Sequence, residues 1–151
     1  MWKLRRFLYK FLQISWPERW LLFRALSWLS LVTLGLRVVS LQALQRLLDR
    51  STAPRAPVAS AQRIAWAVRV ASRFVPAATC LPQALTAQHL LARHGYPAEL
   101  QIGAAKRPDG TLEAHAWLIS GGEVVIGALP DLDRYVPLSP VQRTSKQEQT
   151  G

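Results

Sequence analysis

Ala77-Ala78-Thr79-Cys80-Leu81-Pro82-Gln83-Ala84-Leu85 is the stretch whose reading decides the fold, because it holds the one cysteine in a chain of 151 residues. After it an Ala- and Leu-rich run continues to Arg93 and stops at Gly95. Thr79 suits the N-cap, Pro82 the first turn and Gly95 the position just past the end, so the spacing predicts a helix that opens at Cys80. At a helix N-terminus the unpaired backbone N–H groups and the positive end of the macrodipole favour a thiolate, the usual way a cysteine becomes nucleophilic.

The second informative stretch is Glu113-Ala114-His115-Ala116-Trp117-Leu118-Ile119, with His115 lying 35 residues beyond Cys80. It reads as a strand. A cysteine opening a helix and a histidine on a strand can form the activated pair that acyl transfer requires, with imidazole taking the thiol proton. The plainer reading is a small buried Cys and an ordinary strand His, and spacing alone does not separate the two.

Outward from these stretches, length and composition set the bounds. With half of its residues hydrophobic, the chain can bury one core. A single cysteine excludes an internal disulfide and suits a cytoplasmic setting. The net charge of +10 is uneven: residues 1–50 carry nine Lys/Arg against Glu18 and Asp49, or +7, and residues 51–151 carry ten against seven, or +3. Because the N-terminal basic residues alternate with Trp, Phe and Leu, an anionic membrane surface or an acidic groove fits them better than nucleic acid, which is not expected as a partner.

Met1 to Ile14 reads as a short basic amphipathic helix, and Ser15-Trp16-Pro17-Glu18 as a capping box that opens a second helix over about 16–39. Only twelve uncharged residues separate Arg24 from Arg37, which favours a buried or interfacial helix over a membrane span. Ser40 caps a further helix through Arg50. Residues 51–60 are Pro/Ala/Ser-rich and read as a linker and domain boundary. Ser60 then caps a helix with an apolar face of Ile64, Ala67, Val68, Ala71 and Phe74, ending before Pro76.

Beyond the cysteine helix, Ala98 to Ala105 is expected as a strand, 106–110 as a turn and Thr111 to Ser120 as a second strand. Gly121-Gly122 then makes a hairpin into Glu123 to Gly127. Helices followed by an antiparallel meander indicate an α+β domain in which the cysteine helix packs on a sheet carrying the histidine, a papain-like or transglutaminase-like arrangement. The domains expected are a helical region at 1–50, the linker at 51–60, a catalytic domain at 61–140 and a polar, disordered tail at 141–151. There is no metal-ligand spacing and no phosphate-cradling glycine loop, so neither a metal nor a cofactor is expected. His89 and His94 read as ordinary helix residues.

Several blocks in order carry a family resemblance. They are Thr79-Cys80-Leu81; Leu90-Leu91-Ala92-Arg93-His94-Gly95-Tyr96-Pro97-Ala98; Ile102-Gly103; Ala114-His115-Ala116-Trp117; and Arg134-Tyr135 with Pro137-Leu138. Over roughly Trp16 to Pro140 the chain resembles the transglutaminase-like leader peptidases of lasso-peptide biosynthesis, in the form where the protease is a separate chain. The resemblance implies a cysteine protease with Cys80 as nucleophile and His115 as general base and then acid. It also implies a lasso precursor peptide as substrate, a small leader-binding recognition protein as partner and an ATP-dependent, macrolactam-forming cyclase acting beside it. Gln83 is a guess for a polar contact supplementing the Cys80 N–H as oxyanion donor.

The third member of the triad stays open. A two-residue loop at Gly121-Gly122 pairs Ser120 with Glu123 and sets His115 opposite Ala128, which is no carboxylate. By resemblance the family's acid aligns with Gly127, a departure from the pattern. Asp131 is the first candidate, should Leu129-Pro130 turn the chain back. Asp133 and Glu123 follow, and a Cys-His dyad assisted by a backbone carbonyl is the remaining form. Two other functions stand beside the protease: a noncatalytic, membrane-associated interaction protein in which Cys80 is core, and an amide-transferring enzyme whose acyl intermediate is captured by an amine.

Overall fold

The structure is a computed structural model that describes residues 14–51, 57 and 59–138. The expected helix at 1–14, most of the linker and the tail at 141–151 lie outside the described residues.

The first helix, α1, spans Trp16–Val38, and its start follows from the capping box: the Glu18 side chain accepts a hydrogen bond from the Ser15 backbone N–H at 3.2 Å. Helix α2, Leu41–Arg50, is capped by the Ser40 hydroxyl, which accepts from the Ala43 N–H at 3.3 Å. Helix α3, Ala61–Ala71, is capped in the same way by Ser60 on Arg63. It ends earlier than its apolar pattern implied: Arg73 and Phe74 donate to carbonyls three residues back, Val70 and Ala71, so the helix tightens into a turn and leaves Phe74 exposed. Helix α4, Cys80–Arg93, ends as the sequence indicated. Gly95 adopts φ +77 while its N–H and that of Tyr96 bond the Ala92 and Leu91 carbonyls, a Schellman ending that needs a residue tolerant of positive φ.

Four strands follow, β1 at Glu99–Lys106, β2 at Leu112–Ser120, β3 at Glu123–Ile126 and β4 at Val136–Pro137, with a 3₁₀ turn at Leu132–Arg134 before the last. They form one antiparallel sheet in the order β3-β2-β1-β4. The β1–β2 turn is held by Asp109, whose Oδ1 accepts from both the N–H and the hydroxyl of Thr111. Strand β4 has no counterpart in the sequence reading, because two residues including a proline carry no periodicity. Pairing of Ala104 with Val136 nevertheless returns the chain to the outer edge of β1.

The helices cover one face of this sheet, so the domain is α+β with a helical N-terminal region. Alternation along β2 divides its side chains: Ala116 and Leu118 join the main core under the helices, whereas Trp117 joins Ala105 and Tyr135 in a small cluster on the other face. Leu21, Ala25, Leu29 and Val32 of α1 and Leu44 and Leu48 of α2 share the main core with α3, α4 and the sheet. The helices on both sides of the Pro/Ala/Ser stretch are therefore held by one apolar interior. Burying each such leucine contributes about 1.5–3 kcal/mol relative to leaving it in water.

Candidate active site

Cys80 is the first residue of α4 and is half-buried against the main core. Thr79 occupies the N-cap in extended conformation, but its hydroxyl makes no capping hydrogen bond, so its expected role is met in position and not in chemistry. Its carbonyl accepts the Gln83 N–H at 3.3 Å. With no cap side chain over the first turn and Pro82 lacking an N–H, the Cys80 and Leu81 amides are left as helix-start donors beside the sulfur. Gln83 does not stand free as a second oxyanion donor: its Nε2 donates to the Ala78 carbonyl at 2.8 Å and ties the entering loop to the helix. That loop contains Ala77 at φ +64, the one described non-glycine residue in left-handed backbone, so a strained turn immediately precedes the cysteine.

His115 lies on β2 directly opposite Gly103 of β1. The side-chain alternation sets it on the sheet face of Trp117 and Tyr135, whose rings lie 6.2 Å and 5.4 Å from the imidazole between centroids. Gly103 makes room for this cluster, since a Cβ there would meet Trp117 Cη2 at 2.8 Å. Just before the histidine, Glu113 pairs with Arg107 at 2.8 Å and with Arg134. The hydrogen bond from Arg107 is the main cause holding its carboxyl below the ordinary range, helped by Tyr135 and Arg134.

The imidazole has one hydrogen bond among the described residues, from Nε2 to the Gly127 carbonyl at 2.7 Å. A carbonyl only accepts, so Nε2 carries the proton and the lone pair of the neutral ring sits on Nδ1. This contact departs from the register expected for the hairpin. Ser120 pairs with Glu123 as the two-residue loop requires, but a bulge at Leu118/Ile119 inserts Val125 and shifts Leu118 onto Ile126. The strand then ends; the shifted register counts His115 opposite Leu129, and its side chain reaches back along the strand to the Gly127 carbonyl. Gly127 has φ +77, and a Cβ on it would lie 2.5 Å from the Ala116 oxygen and 3.0 Å from Trp117 Cα. Only glycine fits this approach.

The carboxylates offered by the sequence lie elsewhere. Asp131 precedes the 3₁₀ turn and pairs with Arg134 Nε at 3.1 Å; Asp133 is exposed within that turn; Glu123 is exposed at the far end of β3. Helix α4 packs on the face of β2 opposite the His115 ring, and no hydrogen bond joins Cys80 to His115 in this state. Catalytic contacts in unliganded enzymes often close only in the substrate complex. His89 and His94 are buried outside the site, His89 against Trp28 of α1 with centroids 4.1 Å apart and His94 with its ring bonded to the Leu90 carbonyl at 2.8 Å. Sequence reasoning allowed a backbone carbonyl as the partner of His115 without identifying it as that of Gly127.

No curated protein and no solved structure matches the chain. Residues 26–140, more than half of the chain, match the transglutaminase-like superfamily, so the chain belongs to that superfamily, whose members are in general cysteine peptidases or acyl transferases.

Proposed function

We propose that the protein is a cysteine peptidase that removes the leader from a ribosomally made lasso-peptide precursor, working with a small leader-binding protein and beside an ATP-dependent cyclase. The observation that carries the peptidase reading is the Nε2–H bond to Gly127, because it leaves Nδ1 as the free base of a ring on β2, the strand on whose other face the cysteine helix packs. The leader and its partners rest on the ordered sequence blocks around Cys80, His115 and Arg134-Tyr135.

In this mechanism His115 Nδ1 takes the Cys80 thiol proton as sulfur attacks the scissile carbonyl. The oxyanion is stabilised by the helix-start amides of Cys80 and Leu81. His115 returns the proton to the leaving amine as the C–N bond breaks, leaving a thioester. Water, deprotonated by His115, then attacks the thioester, and the thiolate departs from the new carboxylic acid. The Gly127 carbonyl holds the imidazole and accepts from the imidazolium, the orienting work that a carboxylate does elsewhere, without adding a negative charge.

The test is cleavage of a precursor by the purified protein with its leader-binding partner, followed by mass spectrometry. Wild type is expected to release the leader, and folded His115→Ala to release none. Cleavage by that variant at the wild-type rate would overturn the assignment. Adding a primary amine distinguishes hydrolysis from amide transfer, since only a transferase puts the amine on most of the product.

A further inference from the structure

The outer face of α1 is the largest feature that the catalytic reading leaves unused. Trp16, Trp20, Phe23, Leu31, Leu34 and Val38 are all exposed, Trp20 and Phe23 at 59 % and Leu34 at 60 %. At 100° per residue they fall in one stripe about 80° wide, running the length of the helix. The opposite side of the same helix is committed to the core through Leu21, Ala25, Leu29 and Val32. Within and beside the stripe, the Ser27 and Ser30 hydroxyls donate to the Phe23 and Leu26 carbonyls at 2.9 Å and 2.8 Å, so they do not depend on water for a partner. Arg19 and Arg37 fall beside it on one side and Arg24 on the other, with Arg19 Nε donating to the Ile14 carbonyl at 3.0 Å.

We infer that this stripe seats α1 in the headgroup region of an anionic lipid bilayer, parallel to the surface, with the rest of the domain above it. Charge selects this occupant. Residues 1–50 carry +7, which opposes a second copy of the same face and favours a negative surface. Aromatic rings and arginines bordering leucines match the interfacial zone, where an apolar body and a charged rim are both accommodated. By length and composition α1 could also cross a bilayer. Spanning, however, would pull Leu21, Ala25, Leu29 and Val32 out of the core they share with α3 and α4.

The experiment uses the full chain and sedimentation with vesicles of phosphatidylglycerol and phosphatidylethanolamine, compared with phosphatidylcholine alone. Binding is expected to the anionic vesicles only, and lipids brominated on the acyl chain should quench fluorescence that Trp20→Phe removes. The triple variant Phe23→Ser/Leu31→Ser/Leu34→Ser alters only exposed positions and should retain its circular dichroism and its peptidase activity. Its vesicle affinity should fall at least tenfold, since three large apolar side chains no longer enter the interface. Unchanged affinity in this variant would overturn the inference and assign binding to the basic residues alone. Absence of vesicle binding, or a stable dimer by light scattering that the same variant dissolves, would overturn it equally.

Discussion

Helices α1 and α4 are both long and apolar, yet one is buried on one side only and the other nearly all round. Helix α4 lies between α1, α3 and the sheet, and Ala84, Leu85, Thr86, Ala87, His89, Leu90 and Leu91 are all buried. Its small residues, Ala84 and Ala87, let neighbours approach from several directions and fix the helix that carries Cys80 at its tip. Helix α1 turns Leu21, Ala25, Leu29, Val32 and Trp28 toward the core and Trp16, Trp20, Phe23, Leu31 and Leu34 away from it. Apolar content alone therefore does not say how far a helix is covered; the number of elements packed around it does.

The comparison breaks first at the tip of α4. Replacing Cys80 by Ala should leave the fold intact and lower leader cleavage by more than about a thousandfold, as loss of a covalent nucleophile does. Mass spectrometry of the precursor digest measures it, and a surviving rate near wild type would reduce α4 to a purely structural helix.

Core substitutions sharpen the contrast next. Leu90→Ala on α4 and Leu29→Ala on the inner side of α1, both fully buried, should each cost about 2–5 kcal/mol. Leu34→Ala on the outer side of α1 should stay within about 0.5 kcal/mol. Urea titrations followed by circular dichroism give all three, and a large loss at Leu34 would mean that its face is covered in the isolated protein.

The two helices meet where Trp28 of α1 packs against His89 of α4 with the rings tilted by 50°. Burial first, then the Arg93 and Arg24 charges, lower the His89 pKa from 6.5 to about 4, with the Leu48 backbone opposing. An unfolded histidine takes its proton below 6.5 while the folded one stays neutral until about 4, so the unfolded state binds more protons across this window. Stability should therefore fall as pH drops from 6.5 toward 4. The melting temperature of His89→Phe, which keeps a ring against Trp28, should decline less over the same range than that of wild type. Parallel curves for the two proteins would remove His89 as the cause.

The smallest effect is expected from Asp131→Asn. With Asp131 bonded to Arg134 and His115 bonded to Gly127, cleavage should change by less than about threefold, against the roughly 10⁴-fold that loss of an orienting carboxylate can cost. A loss of a hundredfold or more would show that the carboxylate reaches His115 in the working complex.

Much of the fold was legible because its signals are local. Ser15, Ser40 and Ser60 mark three helix starts, Gly95 marks an end and Gly121-Gly122 marks a hairpin, since each satisfies or bends backbone within a few residues of itself. Cys80 at a helix start and His115 on a strand follow from the same kind of information. The partner of His115 does not, because it depends on where the imidazole reaches along the end of β3 once Gly127 packs against the Ala116 and Trp117 backbone. Strand β4 and the room that Gly103 makes for Trp117 are likewise settled by contacts between residues far apart in the chain. The sequence by itself determined which elements form and which residues could do chemistry, through caps, turns and periodicity. Only the tertiary structure decided which backbone carbonyl His115 faces and which side of α1 stays bare, because both are set by how already formed elements pack.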